Sequence, residues 1–155
     1  MDALKHSDGL ARGVATLKAN VSDGELQQLH EVGVRGVRFN FVKRLVDALP
    51  FDDLSRIAQR IESLGWHIVI YFEAQELPDL YDFFTALPTT VVVDHMGRPD
   101  VSKPLGGQEF QLFDKLLRDN ENFWCKVGCP ERLSMSGPPD YNDVIPFAQH
   151  VVTLK

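Results

Sequence analysis

The sequence predicts an α/β fold, part of a (β/α)8 TIM barrel with about five of the eight βα units such a barrel needs. Short β-branched and aromatic runs (GVRGVRFNF, WHIVIYF, TTVVV, FWCKV) alternate strictly with stretches of helical period. Strict alternation implies a parallel sheet with helical crossovers. The runs also end in polar or ionisable residues: Arg38 and Arg44, Tyr71 with Glu73, Asp94-His95 with Arg98, and Arg132 after Cys129-Pro130. Chemistry gathered at the C-terminal ends of strands is the pattern of a barrel mouth. An open doubly wound sheet also fits alternation, but its phosphate-binding fingerprint is missing. Neither GxGxxG nor GxxxxGK[ST] follows any strand.

Taken in order, residues 1–5 (MDALK) read as the last turn of a helix, and residues 10–17 as a moderately apolar strand with Gly13 inside it. Ser22-Asp-Gly-Glu25 has the capping-box form, so a helix is expected over 23–32, closed by Gly33. The first central strand then carries Val34, Val37, Phe39 and Phe41, with Arg38 facing the pocket and Arg35 facing solvent. Residues 51–64 form the clearest helix, because Leu54, Ile57, Ala58, Ile61 and Leu64 make one apolar stripe. The run 66–72 barely alternates, which suits a strand buried on both faces. A short helix over 77–87 and a buried strand over 89–93 follow. The stretch DHMGRPDVSKPLGG is the longest irregular segment, and loops of that length are usually functional or disordered. A helix at 108–118, a strand at 123–127, a polar loop at 130–139 and a helix at 143–154 complete the chain.

The 155 residues are one domain by length, with 44% apolar and 25% charged residues. A net charge of −6 argues against a nucleic-acid partner and makes a local arginine cluster stand out. Cys125 and Cys129 read as a reduced pair, with Cys125 half-buried, rather than as a disulfide or a zinc site. No apolar run approaches the ~18 residues of a membrane span, so no membrane partner and a cytoplasmic location are expected. His30, His67 and His150 lie inside elements and read as structural.

At GVRGVRFNFVKR, WHIVIYFE, VVVDHMGRPD and CPERLS the chain resembles the 2-pyrone-4,6-dicarboxylate hydrolases. These are lactonases of the amidohydrolase superfamily that act in bacterial breakdown of lignin-derived aromatics. The resemblance runs over nearly the whole chain. It implies a distorted, metal-dependent-hydrolase-like barrel. The implied activity is opening of the ring ester of a planar, doubly charged pyrone with no metal or other cofactor. By the same resemblance, Arg38 and Arg44 grip the substrate's carboxylates and lactone oxygen, and Tyr71 contacts the substrate. His95 is the strand-end histidine of the DHMGRPD block, Arg98 is the arginine within it, and Arg132 is a further carboxylate-binding arginine. The family's first-strand HxH pair would precede Met1, and its general-base aspartate would lie beyond Lys155. Residues 1–155 are therefore expected to form an incomplete barrel domain.

The chemistry fits those residue types. Ester hydrolysis needs a base for the water and positive charge for the carbonyl oxygen, and arginine holds carboxylates through paired hydrogen bonds. Asp94 is expected to orient His95 or a backbone amide, and Glu73 is a second acid/base candidate. A metal-dependent decarboxylase of the same superfamily and a non-catalytic remnant remain as alternatives. Oligomeric state is not legible.

Overall fold

Five parallel strands make one sheet whose order in space, β1-β2-β3-β4-β5, is also their order in the chain. In the computed structural model, which describes residues 2–45 and 49–154, these strands are β1 (Gly13–Ala15), β2 (Val34–Asn40), β3 (His67–Tyr71), β4 (Val91–Val93) and β5 (Phe123–Cys125). The helices are α1 (Asp2–Lys5), α2 (Asp23–Glu31), α3 (Phe51–Glu62), α4 (Leu77–Thr85), α5 (Gln108–Asp119) and α6 (Ile145–Val152). A doubly wound sheet reverses its strand order at a switch point. Here the order never reverses, and with crossovers of one hand every connecting helix falls on the same face of the sheet. That is the winding of a partial (β/α) barrel.

The register gives the sheet two unlike faces. Val37, Phe39, Ile68, Ile70, Val91, Val93 and Phe123 share one face and belong to the buried core. Helix stripes cover it, including Leu54, Ile57 and Ile61 from α3 and Phe113 and Leu116 from α5. The opposite face carries Arg38, Asn40, His67, Tyr71 and Trp124 at alternating positions. In a closed barrel this face lines the interior. Gly36 also lies on it, and a Cβ there would come within 2.7 Å of the His67 ring on the adjacent strand, so the position favours glycine.

Several expectations shift by a few residues. Strands β1, β4 and β5 are shorter than the apolar runs that mark them, since pairing ends where the chain turns into loops. The last helix starts at Ile145 rather than 143 because the Asp143 side chain is engaged by the preceding loop. Short 3-10 turns, Ala74–Glu76, Asp94–Gly97 and Pro130–Arg132, follow β3, β4 and β5 and left no periodic trace in the sequence. Of the expected N-terminal turn, Met1 lies outside the described residues. Arg35 is not a solvent-facing neighbour: it is half-buried, and its Nη1 donates to the carbonyls of His30 (2.6 Å) and Val34 (2.7 Å). It thus satisfies a carbonyl at the end of α2.

The capping box of α2 forms as written: Glu25 N donates to Ser22 Oγ (3.2 Å) and Ser22 N donates to Glu25 Oε2 (2.8 Å). Ser22→Ala is expected to lower stability by about 1 kcal/mol, measured by denaturant unfolding.

Candidate active site

Asp94 is the one buried charged side chain among the described residues, 2% exposed. It directly follows β4, and each of its oxygens meets a cation. Oδ2 lies 2.7 Å from Arg38 Nη2, and Oδ1 accepts from Lys126 Nζ at 2.9 Å. The two cations stand at the ends of β2 and just past β5, so one carboxylate ties three strand ends together. A buried carboxylate needs this pairing, because the desolvation of an unpaired charge is costly.

Tyr71, at the end of β3, is the platform on which the cluster is built. Its ring is buried, with the Arg38 guanidinium 4.7 Å from its centroid. Its hydroxyl accepts from Arg98 Nη1 at 3.1 Å. The His95 imidazole meets the ring edge-on, with centroids 5.3 Å apart and planes at 88°. Arg38, Tyr71, His95 and Arg98 thus form one contact group.

The backbone bringing His95 and Arg98 to Tyr71 is unusual. Four successive residues, His95 (φ 52°), Met96 (φ 56°), Gly97 (φ 66°) and Arg98 (φ 50°), are left-handed. Left-handed geometry costs a non-glycine residue roughly 1–2 kcal/mol, so such a run must be held by its surroundings. Met96 N donates to the carbonyl of Lys126 (3.1 Å), Arg98 N to that of His95 (3.0 Å), and Ala74 N to that of Arg98 (3.4 Å). Met96 is buried, and Gly97 lies so close to Phe113 that a Cβ would approach its ring to 2.8 Å.

A second group of cations lies beside the first. Glu73, just past β3, places Oε1 3.2 Å from Arg44 Nε and 3.7 Å from Arg98 Nε. Arg98, Glu73 and Arg132 line a recess of about 170 Å³, closed by Val101, Leu133 and Met135. Arg132 itself is exposed, 3.7 Å from Glu131. Its loop is clasped by Asp143, which accepts from Ser134 Oγ (2.6 Å), Ser136 Oγ (2.8 Å), Met135 N (2.6 Å) and Ser136 N (3.0 Å). The Ser134 hydroxyl, aided by the others, holds the Asp143 carboxyl well below the usual carboxylate range. A separate recess of about 250 Å³ under α5, lined by Met96, Pro99, Phe110, Phe113 and Phe147, is mainly apolar, and its Lys103 is tied to Glu109 at 2.7 Å. The charged recess is the smaller of the two.

Burial pushes the His95 imidazole below its ordinary value; Asp94 opposes this, and Arg38, Arg132 and Arg98 reinforce it. Neutral imidazole therefore prevails at pH 7, with one donor and one acceptor nitrogen. Burial also pushes the Cys125 thiol up to about 12, so it is no nucleophile. Among the described residues no group of three or more His, Cys, Asp or Glu is placed to hold a metal ion. Nor, among them, is any helix long and apolar enough to cross a membrane.

All six residues singled out from the sequence stand around this mouth. Arg38, His95 and Arg98 each touch Tyr71, Arg132 lines the adjoining recess, and Arg44 reaches in through Glu73. Asp94 does not orient His95 as expected, because its two oxygens are taken by Arg38 and Lys126. Lys126 was missed. Its signal was positional: it follows the last residue of β5 as Asp94 follows the last residue of β4.

An amidohydrolase family model matches residues 1–154, and the chain belongs to that family. Its relatives carry more particular names. Over 159 residues the chain is 64% identical to a 2-pyrone-4,6-dicarboxylate hydrolase of Comamonas testosteroni, covering 98% of this chain and 52% of that protein. Over 152 residues it is 33% identical to a 4-sulfomuconolactone hydrolase of Rhizobium radiobacter, covering 96% of this chain and 49% of that one. The chain thus spans about half the length of the curated relatives it matches. A crystal structure of a provisionally named 2-pyrone-4,6-dicarboxylic acid hydrolase from Acinetobacter baumannii, with citric acid bound, superposes with a TM-score of 0.80 at 28% identity, covering 99% of this chain and 55% of that one.

Asp94→Asn leaves two cations without their shared anion. Both are partly solvated, which softens the loss, so the variant is expected to be about 1–3 kcal/mol less stable in denaturant unfolding.

Proposed function

We propose that the protein containing this chain is a cytoplasmic lactone hydrolase of aromatic catabolism. It opens the ring ester of a small, planar, carboxylated lactone, with 2-pyrone-4,6-dicarboxylate the best-fitting substrate. The observation that carries the reading is the convergence of Arg38, Arg98 and His95 on the Tyr71 ring at the strand ends. The names of two relatives point the same way, since both are hydrolases of anionic lactones. The citric acid held by the Acinetobacter baumannii protein is a polycarboxylate.

The division of labour follows from charge. Arg44, Arg98 and Arg132 bind the substrate's carboxylates, and each charge-assisted hydrogen bond contributes about 1.5–3 kcal/mol. Tyr71 and the guanidinium over it set the floor against which a flat ring lies. Neutral His95 donates an N–H to the ring carbonyl oxygen, and the nearby guanidinium charge stabilises that oxygen as it becomes negative. Asp94, gripped on both oxygens by cations, is not the base. By the family resemblance, a different carboxylate activates the water.

The test is loss of pyrone absorbance with the purified full-length protein. Ring opening is expected. Arg132→Met should raise KM about ten- to a hundredfold, since one charge-assisted contact is lost. Activity should not fall from His95 protonation until the pH drops below about 6.5, the ordinary imidazole value, because the folded group titrates lower. A folded protein that leaves the lactone intact overturns the reading.

A further inference from the structure

Glu73 has no part in the proposed division of labour, yet it lies in the middle of the arginines. Its Oε1 faces two guanidinium Nε atoms, Arg44 at 3.2 Å and Arg98 at 3.7 Å. Only the first is a hydrogen bond. Arg98 Nε is buried and makes no hydrogen bond, Glu73 Oε1 standing about half an ångström too far away. Buried donors are almost always satisfied, and an exception calls for a cause. The contact is also one-pronged. A carboxylate free to choose its position meets a guanidinium with both oxygens, whereas Glu73, anchored just after β3, presents a single oxygen to two arginines. No hydrogen bond to its Oε2 forms among the described residues.

We infer that Glu73 is a built-in competitor for the Arg44–Arg98 pair, holding these arginines until a ligand carboxylate displaces it. The inference rests on the lactonase reading for the identity of the ligand, but not for the competing role of Glu73. A ligand carboxylate, unconstrained by the chain, can approach closely enough to reach Arg98 Nε while the Arg98 Nη1 bond to Tyr71 persists. Displaced Glu73 turns toward the solvent it already partly faces, its side chain being 25% exposed. The competitor sets specificity. A ligand must supply enough negative charge to replace the carboxylate it evicts, so a dianion that also engages Arg132 across the recess succeeds where a monoanion is held weakly.

The experiment is isothermal titration of the full-length protein and its Glu73→Gln variant with 2-pyrone-4,6-dicarboxylate and with citrate. Without the competing charge, both anions should bind about tenfold more tightly, and the gain should vanish when Arg44 is also replaced by Gln. Thermal unfolding of each variant confirms that it is folded. Glu73→Asp, which keeps the charge, should not show the gain. If the pyrone binds and Glu73→Gln leaves both affinities unchanged or weaker, Glu73 is a positioning residue or a bystander, and the inference falls while the lactonase reading stands. If citrate gains and the pyrone binds to neither protein, the competing role of Glu73 stands and the lactonase reading falls.

Discussion

The Asp94 carboxylate is the constraint on which the mouth of this structure depends. It sits where an apolar strand ends, inside the protein, where an unpaired charge is costly, so cations must come to it. Arg38 comes from β2 and Lys126 from beyond β5. Meeting that demand fixes Arg38 against the Tyr71 ring and joins Tyr71 to His95 and Arg98. Lys126 has a second hold on the same region, because its backbone carbonyl accepts from Met96 inside the left-handed turn. The buried charge and the strained turn are two parts of one support.

Period-two alternation lets the two faces of the sheet serve different ends. Residues such as Val37, Ile68, Ile70 and Val93 face the helices and contribute hydrophobic stabilisation. Their strand neighbours face the other way and are free to be polar. Arg38 and Tyr71 are thus positioned by strands whose other face is anchored in a core they do not enter. Rigidity matters to a site that acts by electrostatics, because donors fixed in advance need no reorganisation as charge develops.

Much of this was legible in the sequence, and what was not has physical causes. The five strands, the stripe of α3 and the capping box of α2 were readable because each depends on residues close together in the chain. The six candidate residues stood out because strand ends carry the chemistry of this architecture and because the motifs resemble a family, and the structure places them around one mouth. The partners of Asp94 were not, since pairing between residues on different strands leaves no mark in local spacing. Arg35 was misread for the same reason: facing away from the mouth does not imply facing water when a helix end supplies carbonyls. The left-handed run at 95–98 was hidden because His, Met and Arg give no warning of positive φ. Only Gly97, pressed against Phe113, carried a trace of it.

The most direct measurement is a crystal structure of the full-length protein with 2-pyrone-4,6-dicarboxylate, trapped in a catalytically impaired form. The account predicts both carboxylates on arginines of the strand-end cluster, the ring against the Tyr71–Arg38 floor, and His95 within hydrogen-bond distance of the lactone carbonyl oxygen. A ligand seated instead in the apolar recess beneath α5, among Phe110, Phe113 and Phe147, with the arginines untouched, would contradict it.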